Sequence, residues 1–135
     1  YLSSILKENQ GVNLNFLGFR RDIYQLMNKS SVFALASRRE GLPMALIEAM
    51  SAGCCCVAFD VKTGPSDIIT NGVDGLVVKN QDEKAMINAL RDVLSDERKR
   101  STFAKMAPKG VQRYSVETII DGWYQLFKEL GVINK

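Results

Sequence analysis

Short, nearly continuous apolar runs alternating with segments of helical period constrain this chain more than any other feature. Ser31-Val32-Phe33-Ala34-Leu35-Ala36 and the run from Cys54 to Phe59 are almost wholly apolar, the texture of strands covered on both faces. Between them Pro43 opens a helix to Ala52, with proline at the favoured first position and Gly53 just past the end. Val12 to Leu17 reads as an earlier strand closed by Gly18. Asp22 to Lys29 reads as a short helix with Ile23, Leu26 and Met27 on one face and Asp22 as its cap. Thr63-Gly64-Pro65 leads into one helical turn through Ile69. Asn71-Gly72-Val73-Asp74-Gly75 is turn chemistry before a fourth strand, Leu76 to Val78. Beyond Asp82 the spacing is helical to the end. Met86, Ile87, Leu90, Val93 and Leu94 form one apolar series, and Val116, Ile119, Ile120, Trp123, Phe127 and Leu130 form another. Asp96 to Arg113 lies between them as a charged helix around Phe103 and Met106. The alternation predicts an α/β fold with a doubly wound parallel sheet of four strands, followed by helices. Tyr1 to Asn9 reads as a helix whose preceding strand is missing, so the sheet is expected to be truncated at its N-terminal side.

Composition narrows the function classes. The 135 residues are 46% hydrophobic and 24% charged, the balance of one core-forming domain spanning residues 1–135 and not of a disordered tail. No run approaches the ~18 apolar residues of a membrane span, and the opening Tyr1-Leu2-Ser3 is not a secretory leader. A start at Tyr1 in place of Met leads us to expect a piece of a longer protein. The net charge of +3 and pI near 8.8 suit an anionic ligand or a negative membrane surface, and fall short of a nucleic-acid-binding surplus. The three cysteines are consecutive, Cys54, Cys55 and Cys56, which is neither a disulfide framework nor a zinc pattern. They read as small buried residues of a strand. With no histidine in the chain, Ser-His and Cys-His nucleophilic arrangements are excluded within it.

The chemistry concentrates after the second apolar run. In a doubly wound sheet, ligands bind at the carboxyl ends of the strands. There Ser37-Arg38-Arg39-Glu40-Gly41-Leu42-Pro43 feeds directly into a helix. The free amides of a helix start, reinforced by the helix dipole, suit a diphosphate. Glu48 lies five residues past Pro43, about 7.5 Å along the axis. Helical side chains lean toward the N-terminus, so its carboxylate can return to the site mouth and accept hydrogen bonds from a sugar diol. Its neighbours Ala45, Leu46, Ile47, Ala49 and Met50 are apolar, an environment where a carboxylate is costly without partners. The competing reading makes Glu40 a solvated loop residue and Glu48 an exposed helix residue. Arg38 and Arg39 read as a solvated pair, since adjacent residues cannot both face inward.

The segment from Ser37 to Met50 resembles the signature of GT-B glycosyltransferases of family four, in which two glutamates separated by seven residues mark the donor site. Glu40 and Glu48 have that separation. Asn15-Phe16-Leu17-Gly18-Phe19 is similar to the family's strand and turn near the nucleobase. Gly64-Pro65-Ser66-Asp67-Ile68-Ile69, followed by Asn71 to Val78, resembles its next loop, helix and turn. The resemblance implies a Rossmann-like GT-B C-terminal half: the donor domain of a retaining, hexosyltransferase-type enzyme using a nucleotide sugar, with a UDP-sugar and bacterial surface or capsular polysaccharide as the expected case. It implies that Glu40 contacts the donor sugar near the reacting carbon and is the catalytic residue. Gly41, Leu42 and Pro43 would face sugar and diphosphate, Glu48 would hold the ribose, and Phe19 and Arg20 would border the base. This chain departs from the family's longer Gly-Phe-Gly-Leu-Pro stretch, since Gly41-Leu42-Pro43 is compressed. No Asp-x-Asp motif occurs, so no metal or other cofactor is expected. The implied partners are the nucleotide-sugar donor and a saccharide or lipid-linked saccharide held by a missing N-terminal domain, with no nucleic acid. The implied location is cytoplasmic, with the parent peripheral on the inner face of the plasma membrane. A diphosphate-binding basic pair is expected upstream of Tyr1, and the piece alone is expected to be inactive. Two alternatives remain at this point: an epimerase or phosphorylase-like enzyme of the same architecture, and a non-catalytic nucleotide-binding module.

Overall fold

Three parallel strands form the sheet, β1 (Val32–Leu35), β2 (Cys55–Asp60) and β3 (Gly75–Lys79), in spatial order β1-β2-β3. Val32 stands opposite Cys55, and Val57 opposite Leu76. The computed structural model describes Ile5 and residues 11 to 133; apart from Ile5, the helix expected over Tyr1 to Asn9 lies outside the described residues.

Alternation along β2 builds two cores from one strand, because successive side chains of a strand point to opposite faces. Cys56 and Ala58, with Cys54 just before the strand, pack with Leu46, Met50, Ile68 and Val111 on one face. Cys55, Val57 and Phe59 pack with Met86, Val93 and Phe103 on the other. This is why β2 is the almost unbroken apolar run: as the central strand it meets helices on both sides. The first face is covered by α1 (Ile23–Lys29), α2 (Met44–Ser51) and the single turn α3 (Pro65–Ile68), the second by α4 (Glu83–Ser95). The charged helix α5 (Glu97–Gly110) contributes Ala107 to the first core and Phe103 to the second. Asp82 caps α4 by accepting from the Ala85 amide, and Asp96 caps α5 by accepting from Lys99, the role short acidic side chains have at helix starts.

The cysteines are free and buried, as the sequence predicts. The Cys54 thiol donates to the Met27 carbonyl at 2.7 Å. Burial pushes the Cys54 thiol up, that of Cys55 to about 11 and that of Cys56 further still, so all three stay protonated and unreactive at neutral pH.

Three expectations need correction. Val12 to Leu17 is not a strand: every residue from 11 to 21 is exposed and none joins the sheet, which therefore has three strands among the described residues. An alternating sequence reports fitness for a ladder, but forming one also needs a partner strand that no local pattern supplies. Asp22 stands at the start of α1 without capping it. Its carboxylate instead takes a two-pronged bond from Arg20, with Nε donating to Oδ1 at 2.8 Å, and this neighbour holds it below the usual carboxylate range. Pro43 occupies the N-cap of α2, one residue earlier than expected. The expected C-terminal helix is present as α6 (Val116–Glu129), capped by Ser115, and buries none of its residues. No helix among the described residues is long and apolar enough to cross a membrane.

Candidate functional site

Two loops meet where β1 and β2 end. The first runs from Ala36 to Pro43 and carries Glu40; the second runs from Val61 to Gly64. The Thr63 hydroxyl donates to the Glu40 carbonyl at 2.6 Å. Gly64 has φ +117°, and a Cβ there would collide with the Pro43 ring. Only glycine suits both the left-handed backbone and that close approach. Thr63 and Gly64 thus hold the Glu40–Pro43 segment, a role that the sequence reading did not assign to either. The Thr-Gly-Pro run was the available signal.

Helix α2 begins directly behind that segment. Its first bonds run from the Leu46 amide to the Pro43 carbonyl at 2.9 Å and from Ile47 to the same oxygen at 3.3 Å. No side chain caps it, and the Met44 amide donates to the Leu42 carbonyl at 2.8 Å, so the Ala45 amide is the one that its opening turn can offer. Leu46, Ile47, Ala49 and Met50 are buried, while Met44, Ala45 and Glu48 are exposed. Glu48 therefore lies one turn along the solvent-facing stripe that starts at the helix mouth. The desolvation argument from its apolar neighbours does not apply, because those neighbours face the core and the carboxylate faces water. Glu40 is half-buried, Gly41 and Leu42 are exposed, and Pro43 is buried beneath them.

The structure accordingly places Glu40, Gly41 and Leu42 on the loop before α2, Pro43 at its N-cap and Glu48 one turn into the helix. Phe19 and Arg20 belong to the exposed segment before α1: Phe19 is 92% exposed and the Arg20 guanidinium is engaged by Asp22. Arg38 and Arg39 are both exposed, as expected of the pair. A cleft of about 790 Å³ opens beside β3 between Asp60, Asp67, Thr70, Lys79 and Arg113, and contains neither glutamate. There Arg113 is already engaged, donating to the Asp67 and Ile68 carbonyls. Among the described residues no group of three His, Cys, Asp or Glu side chains is arranged to hold a metal ion.

Residues 2–110 match the family of glycosyl transferases group 1, and the chain belongs to that family. An exopolysaccharide phosphotransferase of Streptomyces coelicolor is 32% identical over 126 residues, 90% of this chain and 13% of that protein. The amylovoran biosynthesis glycosyltransferase AmsD of Erwinia amylovora is 38% identical over 103 residues, 76% of this chain and 29% of that protein. Further relatives carry the names of bacterial enzymes that transfer sugars to undecaprenyl-diphosphate-linked saccharides. Among solved structures, Anabaena HepE in complex with UDP and glucose superposes with a TM-score of 0.81 at 28% identity, over 98% of this chain and 36% of that one. The fold is that of the GT-B enzymes, and the chain spans about a third or less of the length of these relatives.

Proposed function

We propose that this chain is the donor-binding half of a retaining glycosyltransferase that builds bacterial surface polysaccharide from a UDP-sugar. The observation that carries the reading is the placement of Glu40 on a loop held by Thr63 and Gly64 just before α2, with Glu48 one turn into that helix on its exposed side. Glu48 holds the ribose hydroxyls through charge-assisted hydrogen bonds. The opening turn of α2 and the amides of Gly41 and Leu42 take the diphosphate, whose negative charge the helix dipole favours. Glu40 sits before the helix, where the sugar leaves the diphosphate, and it contacts the sugar hydroxyls at the reacting carbon. Charge on the departing diphosphate is met by these fixed amides and by basic side chains, without metal or other cofactor. Phe19 and Arg20 border the base, for which Arg20 must release Asp22.

The acceptor, a saccharide or lipid-linked saccharide, is held by a further domain, and the whole enzyme works on the cytoplasmic side of the membrane. The family membership and the UDP-bound HepE structure support this reading. Calorimetric titration tests it. UDP should bind with saturable heat while AMP and NAD do not. Equal binding of all three, or of none, would overturn the assignment of a uridine diphosphate site.

A further inference from the structure

The carboxyl edge of the sheet bears a second cleft, about 470 Å³, that the donor site does not use. It lies on the α4 side, whereas Glu48 stands on α2 across the sheet. Ala36 and Arg38 enter it from the loop after β1, Phe59 from the end of β2, Gln81 from the turn after β3, and Met86 and Ile87 from α4. The lining is graded. Phe59 and Met86 are each 7% exposed and form an apolar floor, with Ile87, 47% exposed, along one wall. Arg38, Gln81 and Glu83 stand at the rim, all exposed. Among the described residues none of the three enters an ion pair or a side-chain hydrogen bond. Among the described residues Gln81 is also the one non-glycine residue with positive φ, at 60°. That conformation turns the chain sharply from β3 into the capped start of α4 and sets Gln81 at the cleft mouth.

An apolar floor under a rim of mixed donors and acceptors matches one ligand chemistry closely. A pyranose ring has an apolar C–H face and a girdle of hydroxyls that both donate and accept. Arg38 supplies donors only, Glu83 acceptors only, and Gln81 both. A nucleotide fits less well, since the rim carries one cation and one anion with no uncapped helix start: Asp82 already takes the Ala85 amide. The volume lies within the range of small-molecule sites, roughly 300–1,000 Å³. Arg38 is two residues from Glu40, so the loop that carries the donor glutamate also forms one wall of this cleft.

We propose that the cleft is a saccharide subsite, taking a pyranose ring on Phe59, Met86 and Ile87 with its hydroxyls on Arg38, Gln81 and Glu83. That this sugar is one unit of the acceptor, the rest of which the further domain holds, rests on the donor-site reading above; that a sugar binds here does not.

The test is an NMR titration of the isotopically labelled chain with methyl N-acetyl-α-glucosaminide and, separately, with UDP. The glycoside should move signals of Gln81, Met86 and Ile87, and should do so equally with UDP present. Ile87→Glu places a charge against the ring face at an exposed helical position, and Arg38→Met removes the donors from an exposed loop. Each variant should retain a dispersed, folded spectrum and lose glycoside affinity about tenfold, equivalent to ~1.4 kcal/mol, with UDP affinity unchanged. A glycoside that moves none of these signals, binds both variants as it binds the parent chain, or is displaced by UDP would overturn the subsite. Glycoside binding here with no UDP response at Glu40 to Glu48 would uphold the subsite and overturn its assignment to an acceptor.

Discussion

Glu40 and Glu48 differ by a few residues in sequence and by one element in structure, and that difference separates their expected roles. Glu48 is anchored on a helix whose other side is buried in the core, so its carboxylate is presented rigidly to water and ligand. Glu48→Gln should weaken UDP binding by about 1.5–3 kcal/mol, the range for hydrogen bonds to a charged group, as read by calorimetry; unchanged affinity would remove it from the ribose. Glu40 precedes the helix, so Glu40→Ala should spare UDP affinity and lower turnover of the complete enzyme. Equal losses of UDP and UDP-sugar binding would mark it as a nucleotide or structural residue. A third acidic residue belongs to the fold and not to the site. Asp74 is 3% exposed, accepts from the Thr70 amide at 2.8 Å, and lies against Gly110 so closely that a Cβ there would overlap it. Burial raises its pKa, so the folded chain binds this proton more tightly than the unfolded chain. Stability attributable to Asp74 therefore falls as pH rises from the ordinary carboxylate range through the folded value. Paired urea unfolding of the parent chain and Asp74→Asn should show that slope in the parent alone. Parallel profiles would refute it.

Helices α2 and α6 show how differently two amphipathic segments of one chain are used. Leu46 of α2 is fully buried against the first core. Leu46→Ala should cost about 2–5 kcal/mol, as core truncations do when the surroundings collapse incompletely, measured by denaturant unfolding. Helix α6 carries Ile120, Trp123 and Phe127 on its apolar series, yet Trp123 remains 55% exposed and nothing on the helix is buried. Its stability comes from its Ser115 cap and contacts along its own length, including the Trp123–Phe127 ring pair at 5.6 Å. Deleting residues 116–135 should leave the unfolding midpoint of the rest within a few degrees, because almost no core surface goes with it. A collapse of the midpoint would show that α6 holds the body together.

At the scale of the whole molecule, the proposed function makes the chain one side of a reaction that needs two substrates in line. Holding reactants together can lower a barrier by about 7–11 kcal/mol, and the relatives that share this unit are roughly three or more times its length. A multiple-turnover assay of the 135-residue chain with UDP-sugars and an oligosaccharide acceptor should give only background transfer. Steady transfer would show that this unit alone holds both substrates.

Much of the architecture followed from local pattern. The apolar runs Ser31–Ala36 and Cys54–Phe59, a helix opening at or just after Pro43 and the turn Asn71–Gly75 were legible because strand burial, proline geometry and glycine turns are imposed by a few neighbouring residues. The pair Glu40 and Glu48 was legible as spacing on a loop and a helix. Tertiary structure alone decided the rest, because each remaining point depends on what lies across space. The alternation of Val12 to Leu17 joined no ladder, which no local pattern could decide. The apolar neighbours of Glu48 turned inward and left its carboxylate in water. Gly64 became indispensable only through its contact with Pro43, and the cleft of Arg38, Phe59, Gln81 and Ile87 exists only because three strand ends and the start of α4 converge on one edge.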